Sequence, residues 1–357
     1  IMLIWFDVNT PKQALLFTAM GKKIADLGFE YIITAREYDV TVGILRRLNQ
    51  DFILVGKHGG GTLKGKLVAS IEKMKNIVDF FDQNDVTPDL AVHFASPEAA
   101  RIAFGLGIKN ICVHDTPHSI YTIKLSIPFS DYLIIPSAIP KVYYTSYISE
   151  HRIYPYNGVD ALEWINSVRP DISILNRLGI AKGDRIVVFR PEEGFASYYL
   201  KYTKGKPLTT GMKILKHILN KHEDVKVVFL GRYREHFDAI KDSFNDRVII
   251  PKETVLGLDL YPKADIVITG GGTMALEAAL LGIPSLTYFP SHLYLPFFLK
   301  TQGFPIEHIT ILDAALKYID NVLKDPLEYR VKTDNIIKKL ETPSSKIVEI
   351  IKNSFKG

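Results

Sequence analysis

Ala264-Asp265-Ile266-Val267-Ile268-Thr269-Gly270-Gly271-Gly272-Thr273-Met274-Ala275-Leu276-Glu277-Ala278 carries an apolar run straight into three glycines and then into a stretch of helical spacing. A strand that turns on glycines into a helix lets the backbone approach a ligand closely. It also presents free N–H groups and the positive end of the helix dipole. The reading places Gly270, Gly271, Gly272 and Thr273 on a phosphate or diphosphate. Glu277 falls one turn into the helix, where a carboxylate can accept two ribose hydroxyls. The plain alternative is a tight turn packed by glycines with Glu277 solvated. The pattern is not G-x-G-x-x-G and no lysine follows it as in a P-loop, which counts against NAD binding and P-loop ATP hydrolysis.

Outward from this turn, short apolar runs alternate with helical periods along the whole chain. Strands are predicted at 2–8, 31–35, 52–55, 90–94, 110–114 and 132–135, and again at 185–190, 226–230, 248–250, 265–269 and 284–287. Helices are predicted between them, among others at 13–27, 67–84, 97–106, 212–220, 234–244 and 312–323, with a last helical stretch at 335–354. Near-continuous apolar strands alternating with helices predict parallel sheets covered on both faces. The alternation pauses at Tyr154-Pro155-Tyr156-Asn157-Gly158-Val159-Asp160, which suits a linker, and then restarts. The expectation is an α/β fold of two Rossmann-like, doubly wound domains facing a cleft. Residues 1–155 form the first, with the C-terminal helix 335–357 packing back on it, and 160–334 form the second.

The 357 residues suit about two domains at ~150 each. Apolar residues are 47% and charged residues 23%, ordinary for a globular chain. The net charge of +5 is mild and no basic run resembles a nucleic-acid tail, so no nucleic-acid partner is expected. One cysteine, Cys112, leaves no disulfide framework and no Cys-based zinc site within the chain, and a lone thiol in an apolar stretch suits a cytoplasmic location. The first apolar run ends at Asp7, too short for a signal-peptide core, and no window is apolar enough to be a transmembrane segment.

Chemistry-bearing residues gather at predicted strand ends. Asn9 and Thr10 follow the first strand, as helix caps or near a sugar. Val55-Gly56-Lys57-His58-Gly59-Gly60-Gly61-Thr62 follows the third, where Lys57 and His58 can meet anionic or hydroxyl groups or simply sit in a surface loop. His93 ends the fourth, and His114, Asp115 and His118 follow the fifth. These are candidates for a general base on an acceptor hydroxyl, with buried or capping roles as the alternative and no metal site committed. Arg190 ends the first strand of the second half and can neutralise a diphosphate, with Glu192 and Glu193 either catalytic or holding that arginine. Arg232 follows the next strand. Tyr294-Leu295-Pro296-Phe297-Phe298-Leu299 reads as a packed helix start or a contact for a lipid or apolar acceptor.

These stretches, with Trp5-Phe6-Asp7-Val8-Asn9-Thr10-Pro11, Ile33-Thr34-Ala35-Arg36-Glu37-Tyr38 and Val188-Phe189-Arg190-Pro191-Glu192, resemble glycosyltransferase-B-type nucleotide-sugar proteins, a superfamily that includes UDP-N-acetylglucosamine 2-epimerase. More closely, nearly the whole chain resembles an uncharacterised family of similar length on that scaffold. The resemblance implies a nucleotide diphosphate on Gly270–Thr273, ribose on Glu277 and no required metal or cofactor. Epimerase relatives carry a Gly-Asp pair where Phe94-Ala95-Ser96 stands, a Val-Glu-Ala-Gly run where Val113-His114-Asp115 stands, and a His-Arg pair where Phe189-Arg190 stands. The departures count against 2-epimerase chemistry, and the expectation is a metal-independent glycosyltransferase using a nucleotide sugar, UDP-linked, with room for a glycan or lipid-linked acceptor and for peripheral membrane contact. An epimerase of a nucleotide-activated amino sugar and a non-catalytic nucleotide-sugar binder are the alternatives.

Overall fold

The computed structural model describes residues 1–192, 209–231, 240 and 247–354. The described chain forms two compact units, 1–167 with 341–357, and 168–340.

The first unit holds seven strands in the order β3-β2-β1-β4-β5-β6-β7, every neighbouring pair parallel: β1 Leu3–Val8, β2 Glu30–Glu37, β3 Ile53–Lys57, β4 Leu90–Phe94, β5 Lys109–Val113, β6 Tyr132–Pro136 and β7 Ile153–Tyr156. Its helices include α1 Pro11–Asp26, α2 Thr41–Arg47, α3 Leu63–Gln83, α4 Pro97–Leu106 and α5 Ile120–Ser126. Side chains start three of these helices: Thr10, Thr62 and Ser96 each accept from a backbone N–H three residues on. Beneath α3 and α4, a core cluster joins Trp5, Ile77, Phe81, Ala91 and Ile102, with Trp5 and Phe81 edge to face at 5.1 Å.

The expected linker is corrected by β7. Residues 154–156 are the edge strand of the first sheet, and the unit continues to Ser167. Pro155 masks a strand in sequence, but at an edge, with β6 as sole neighbour, its missing N–H does not break the sheet. The predicted last helical stretch is two pieces, Asp334–Ile337 and Pro343–Ser354, parted before a proline. The longer piece packs on β6 and β7. Glu163 Oε2 accepts from Ser344 N at 3.1 Å and Glu341 Oε2 from Asn157 N at 2.7 Å.

The second unit has a six-stranded parallel sheet, β10-β9-β8-β11-β12-β13, from β8 Arg185–Arg190, β9 Val225–Phe229, β10 Val248–Ile249, β11 Ile266–Thr269, β12 Ser285–Thr287 and β13 Ile306–His308. The last strand, three residues long with Glu307 in its middle, gives too weak a period to be read from sequence. The helix predicted at 234–244 lies outside the described residues except for Ile240. Val187, Phe189, Phe229, Ile268, Ile218 and Ile319 lie in the core on one face of this sheet.

Gly270 holds β11 against the chain leaving β8. A Cβ there would stand 2.5 Å from Glu192 Cα and 2.6 Å from its N, whereas one on Gly271 would meet nothing nearer than 3.8 Å. Gly270→Ala is therefore expected to cost about 1–3 kcal/mol of stability as an overpacked backbone contact, and Gly271→Ala almost nothing. Thermal melting of both variants beside the parent chain checks this.

Candidate functional site

Both sheets reverse their strand order next to the first strand of each unit, at β1/β4 and at β8/β11. In open parallel sheets ligands collect beyond the carboxyl ends of the strands at such a switch point.

At the second switch, register sets Thr269 beside Arg190. Gly270 N donates to Arg190 O at 3.0 Å, Gly271 N donates to Thr269 Oγ1 at 3.0 Å, and Thr287 Oγ1 donates to Gly271 O at 2.6 Å. Gly272 is the N-cap of the helix Thr273–Leu280 and offers no side chain, so no side-chain bond closes that helix start. The turn is thus pinned from behind by the N–H groups of Gly270 and Gly271, which leaves those of Gly272, Thr273 and Met274, all partly exposed residues, to open the helix. Arg190 is half-buried, and its Nη1 donates to Leu230 O at 3.2 Å. Glu277, buried rather than solvated, accepts from Tyr261 Oη at 2.6 Å. Burial, then the neighbouring carboxylate, holds the Tyr261 phenol well above its usual pKa. The Glu192 carboxylate is bonded to groups other than Arg190. Its Oε1 accepts from Thr210 N and Gly211 N at 3.1 and 3.2 Å, closing the start of the helix Thr209–Lys221, and its Oε2 accepts from Tyr288 Oη at 2.7 Å. Glu193 and Arg232 lie outside the described residues.

The first switch is filled by a buried ion pair that the sequence reading missed. Lys73 of α3 donates to Asp7 Oδ2 at 2.8 Å and to Asn9 Oδ1 at 2.6 Å. Asp7 also accepts from Thr34 Oγ1 at 2.9 Å, Ser96 Oγ at 2.7 Å and Asn9 Nδ2 at 3.0 Å. Desolvation raises the Asp7 carboxyl, but Lys73 and the hydroxyl donors outweigh it and the net direction is down. Asn9, expected near a sugar, is taken up by this network, and Thr10 caps α1. His93 Nδ1 accepts from Ser96 N at 3.2 Å, so Nε2 carries the proton and donates to Asn110 Oδ1 at 3.1 Å. Burial pushes His93 down to about 4. Between His93 and Ser96, Ala95 holds a left-handed φ of 43°, a local strain at the mouth of the switch.

A second polar cluster stands over β5 and β7. The Lys12 ammonium of α1 lies 2.5 Å from Asp115 and 2.6 Å from Asp160, and 4.3 Å from the Phe94 ring centre. Tyr156 Oη donates to Asp160 at 2.5 Å and Thr116 Oγ1 donates to Asp115 at 2.6 Å. Burial raises both carboxyls. Lys12 reverses this for Asp115, which ends lowered, while Asp160, facing Asp115 as well, stays raised. Lys12 itself is held above its usual range: its two carboxylates outweigh burial. His114, beside Asp115, is buried with Nδ1 sharing a 3.0 Å bond with Tyr144 Oη, and burial lowers it to about 4. His118 is half-buried in the loop that follows. Lys57 and His58 are exposed; the His58 ring lies on Tyr38 at 4.6 Å and its Nδ1 accepts from Gly60 N. Among the described residues no three His, Cys, Asp or Glu side chains gather to hold a metal ion.

Lys12 and Lys73 had sequence signals of their own. Lys12 sits just inside a helix start, where the dipole disfavours a cation without a carboxylate partner. Lys73 stands four and eight residues before the buried Ile77 and Phe81, where the period calls for an apolar side chain.

Residues 2–356 match the family described as "Protein of unknown function (DUF354)". The chain belongs to this family. A relative from Methanocaldococcus jannaschii, "Uncharacterized protein MJ0665", is 30% identical over 359 residues, covering 99% of this chain and 98% of the relative. Among solved structures, UDP-GlcNAc 2-epimerase from Neisseria meningitidis bound to UDP-GlcNAc superposes with a TM-score of 0.74 at 15% identity, covering 99% of this chain and 100% of that one. The spinosyn forosaminyltransferase SpnP superposes at 0.58 with 14% identity, covering 99% and 98%. At these identities the likeness shows the fold, which is α/β with two Rossmann-like domains of glycosyltransferase-B type.

His93 and His114 are neutral in the folded state, so unfolding takes up protons below their ordinary 6.5. Stability present above pH 6.5 is expected to fall as pH drops toward about 4. The loss is roughly 3 kcal/mol per ring, at ~1.4 kcal/mol per pH unit. His114→Phe, less stable at neutral pH for want of the Tyr144 bond, should show a shallower fall. Denaturant midpoints measured from pH 7 to 4.5 check it.

Proposed function

We propose that this chain is a nucleotide-sugar-dependent glycosyltransferase that needs no metal. The observation that carries the reading is the turn at Gly270–Gly272: a backbone pinned from behind at the switch point of the second sheet, leading into a helix start without a side-chain cap, with Arg190 on the adjoining strand end. Such a turn suits the diphosphate of a donor, since helix N–H groups and a guanidinium both meet phosphate oxygens. In this reading Gly270–Thr273 and Arg190 take the diphosphate and the Glu277 carboxylate takes the ribose. Charge grows on the leaving diphosphate as the sugar departs, and preorganised donors there supply most of the rate.

The acceptor hydroxyl is assigned to the first unit. Of the base candidates there, His114 is buried and neutral, whereas Asp115 is ionised and keeps 10% side-chain exposure, with Lys12 holding it in place. Asp115 takes the acceptor proton as the bond to the sugar forms.

The second reading, epimerisation of a UDP-linked amino sugar, is favoured by the likeness to the Neisseria meningitidis enzyme. Against it, a C–H bond adjacent to the anomeric centre needs an acid and a base on opposite faces. Where the epimerases carry their acidic residues, the strand ends here offer Ala95, a His93 with both ring nitrogens engaged, and an Asp115 held by Lys12.

Incubation with UDP-N-acetylglucosamine in deuterated water separates the two. Slow release of UDP with no deuterium at C2 by NMR is expected, and deuterium at C2 at a catalytic rate would establish the epimerase instead. Glu277→Gln keeps an oxygen for Tyr261 and removes the charge. It should weaken UDP about ten- to hundredfold by calorimetry, as expected for loss of charge-assisted bonds of roughly 1.5–3 kcal/mol. Unchanged affinity would take the ribose away from Glu277.

A further inference from the structure

The first half of α3 carries an apolar stripe that the core does not cover. The residues this helix buries, Lys73, Ile77 and Phe81, run from its midpoint onward. At ~3.6 residues per turn, Leu63 stands about five turns ahead of Phe81 and on the same face. The first half of α3 therefore runs on past the core with no buried side, and its apolar residues turn from the line of Phe81 round toward solvent, Leu67, Ile71 and Val68 standing about 40°, 80° and 140° from it. There Leu63 is 87% exposed, Leu67 63%, Ile71 53% and Val68 43%. The edge strand β3, which leads into α3, adds the exposed Leu54.

Basic side chains outnumber acidic ones on this overhang, which Glu37, in register beside Lys57, and Glu72, after Ile71, border. From Phe52 to Ile71 the chain has three lysines, Lys57, Lys64 and Lys66, and no acid. All three are exposed and none forms an ion pair among the described residues. Lys64 falls within the apolar arc of the helix rather than opposite it. The guanidinium of Arg36, lying 5.2 Å over the Tyr38 ring, adds a fourth cation near His58.

We propose that this overhanging face docks on an anionic lipid bilayer, its leucines entering the acyl boundary and its lysines meeting the phosphate headgroups. An apolar stripe rimmed by unpaired lysines is the composition of an interfacial helix. A second copy of the chain answers the apolar area but not the charge, because patch on patch sets Lys64 and Lys66 against the same lysines. The proposal goes beyond the nucleotide-sugar reading and stands without it.

The test is flotation of the full chain with vesicles of phosphatidylcholine containing ~30 mol% phosphatidylserine, beside vesicles of phosphatidylcholine alone. Binding to the anionic vesicles only, weakened by salt, is expected. The double variants Lys64→Glu/Lys66→Glu and Leu63→Ser/Leu67→Ser should each lower the bound fraction roughly tenfold or more, with the parent melting temperature kept because these side chains are exposed. Equal binding to both vesicles, binding to neither, or variants that float like the parent would overturn the proposal. So would a dimer in solution that Leu63→Ser/Leu67→Ser splits while vesicles leave the parent chain unbound.

Discussion

The first unit is organised around a carboxylate that cannot be left alone. Asp7, the residue before the last of β1, has no exposure to solvent, and a single buried charge of this kind is tolerated only when paired and fully hydrogen-bonded. Its partners come from four places: Asn9 just after β1, Thr34 on β2, Lys73 on α3 and Ser96 at the start of α4. Removing Lys73 alone would strand the charge at a cost of about 3–5 kcal/mol. The pair thereby fixes where α3 crosses the sheet, and so how much of that helix reaches beyond it.

The two switch points have been put to opposite uses. In the first unit the space above the reversal is packed with a satisfied polar network, and what remains open to chemistry lies further along the sheet, at Lys12, Asp115 and the end of β5. In the second unit the same topological position is emptied by glycines. A missing side chain at Gly270 lets Glu192 pass, and a missing side chain at Gly272 leaves the helix start without a lid of its own. One sheet thus offers side-chain functional groups and the other offers backbone donors.

Sequence periodicity carries most of this architecture, because a strand buried on both faces has to be apolar throughout and a helix between sheets has to show one apolar face. The glycine turn at 270–272 and the capped starts of α1 and α4 were legible for the same local reason. What was not legible depends on residues far apart in the chain. Pro155 reads as a break unless the strand is known to be an edge. Asp160 reads as part of a linker until Lys12, far back on α1, is found beside it. Glu277 reads as a surface carboxylate until Tyr261 is seen to cover it. Each of these is a pairing between elements, and a one-dimensional pattern has no term for it.

The first unit is discontinuous: the helix Pro343–Ser354 that closes over β6 and β7 is made only after the whole second unit has been synthesised. On a ribosome, strands β1 to β7 must wait with the surface under that helix uncovered, while the second unit is free to complete its own core from contiguous chain. Glu163 and Asn157 wait as well, their partners Ser344 and Glu341 being still untranslated. The order of synthesis and the order of completion are therefore inverted: the part of the protein that is made first is finished last.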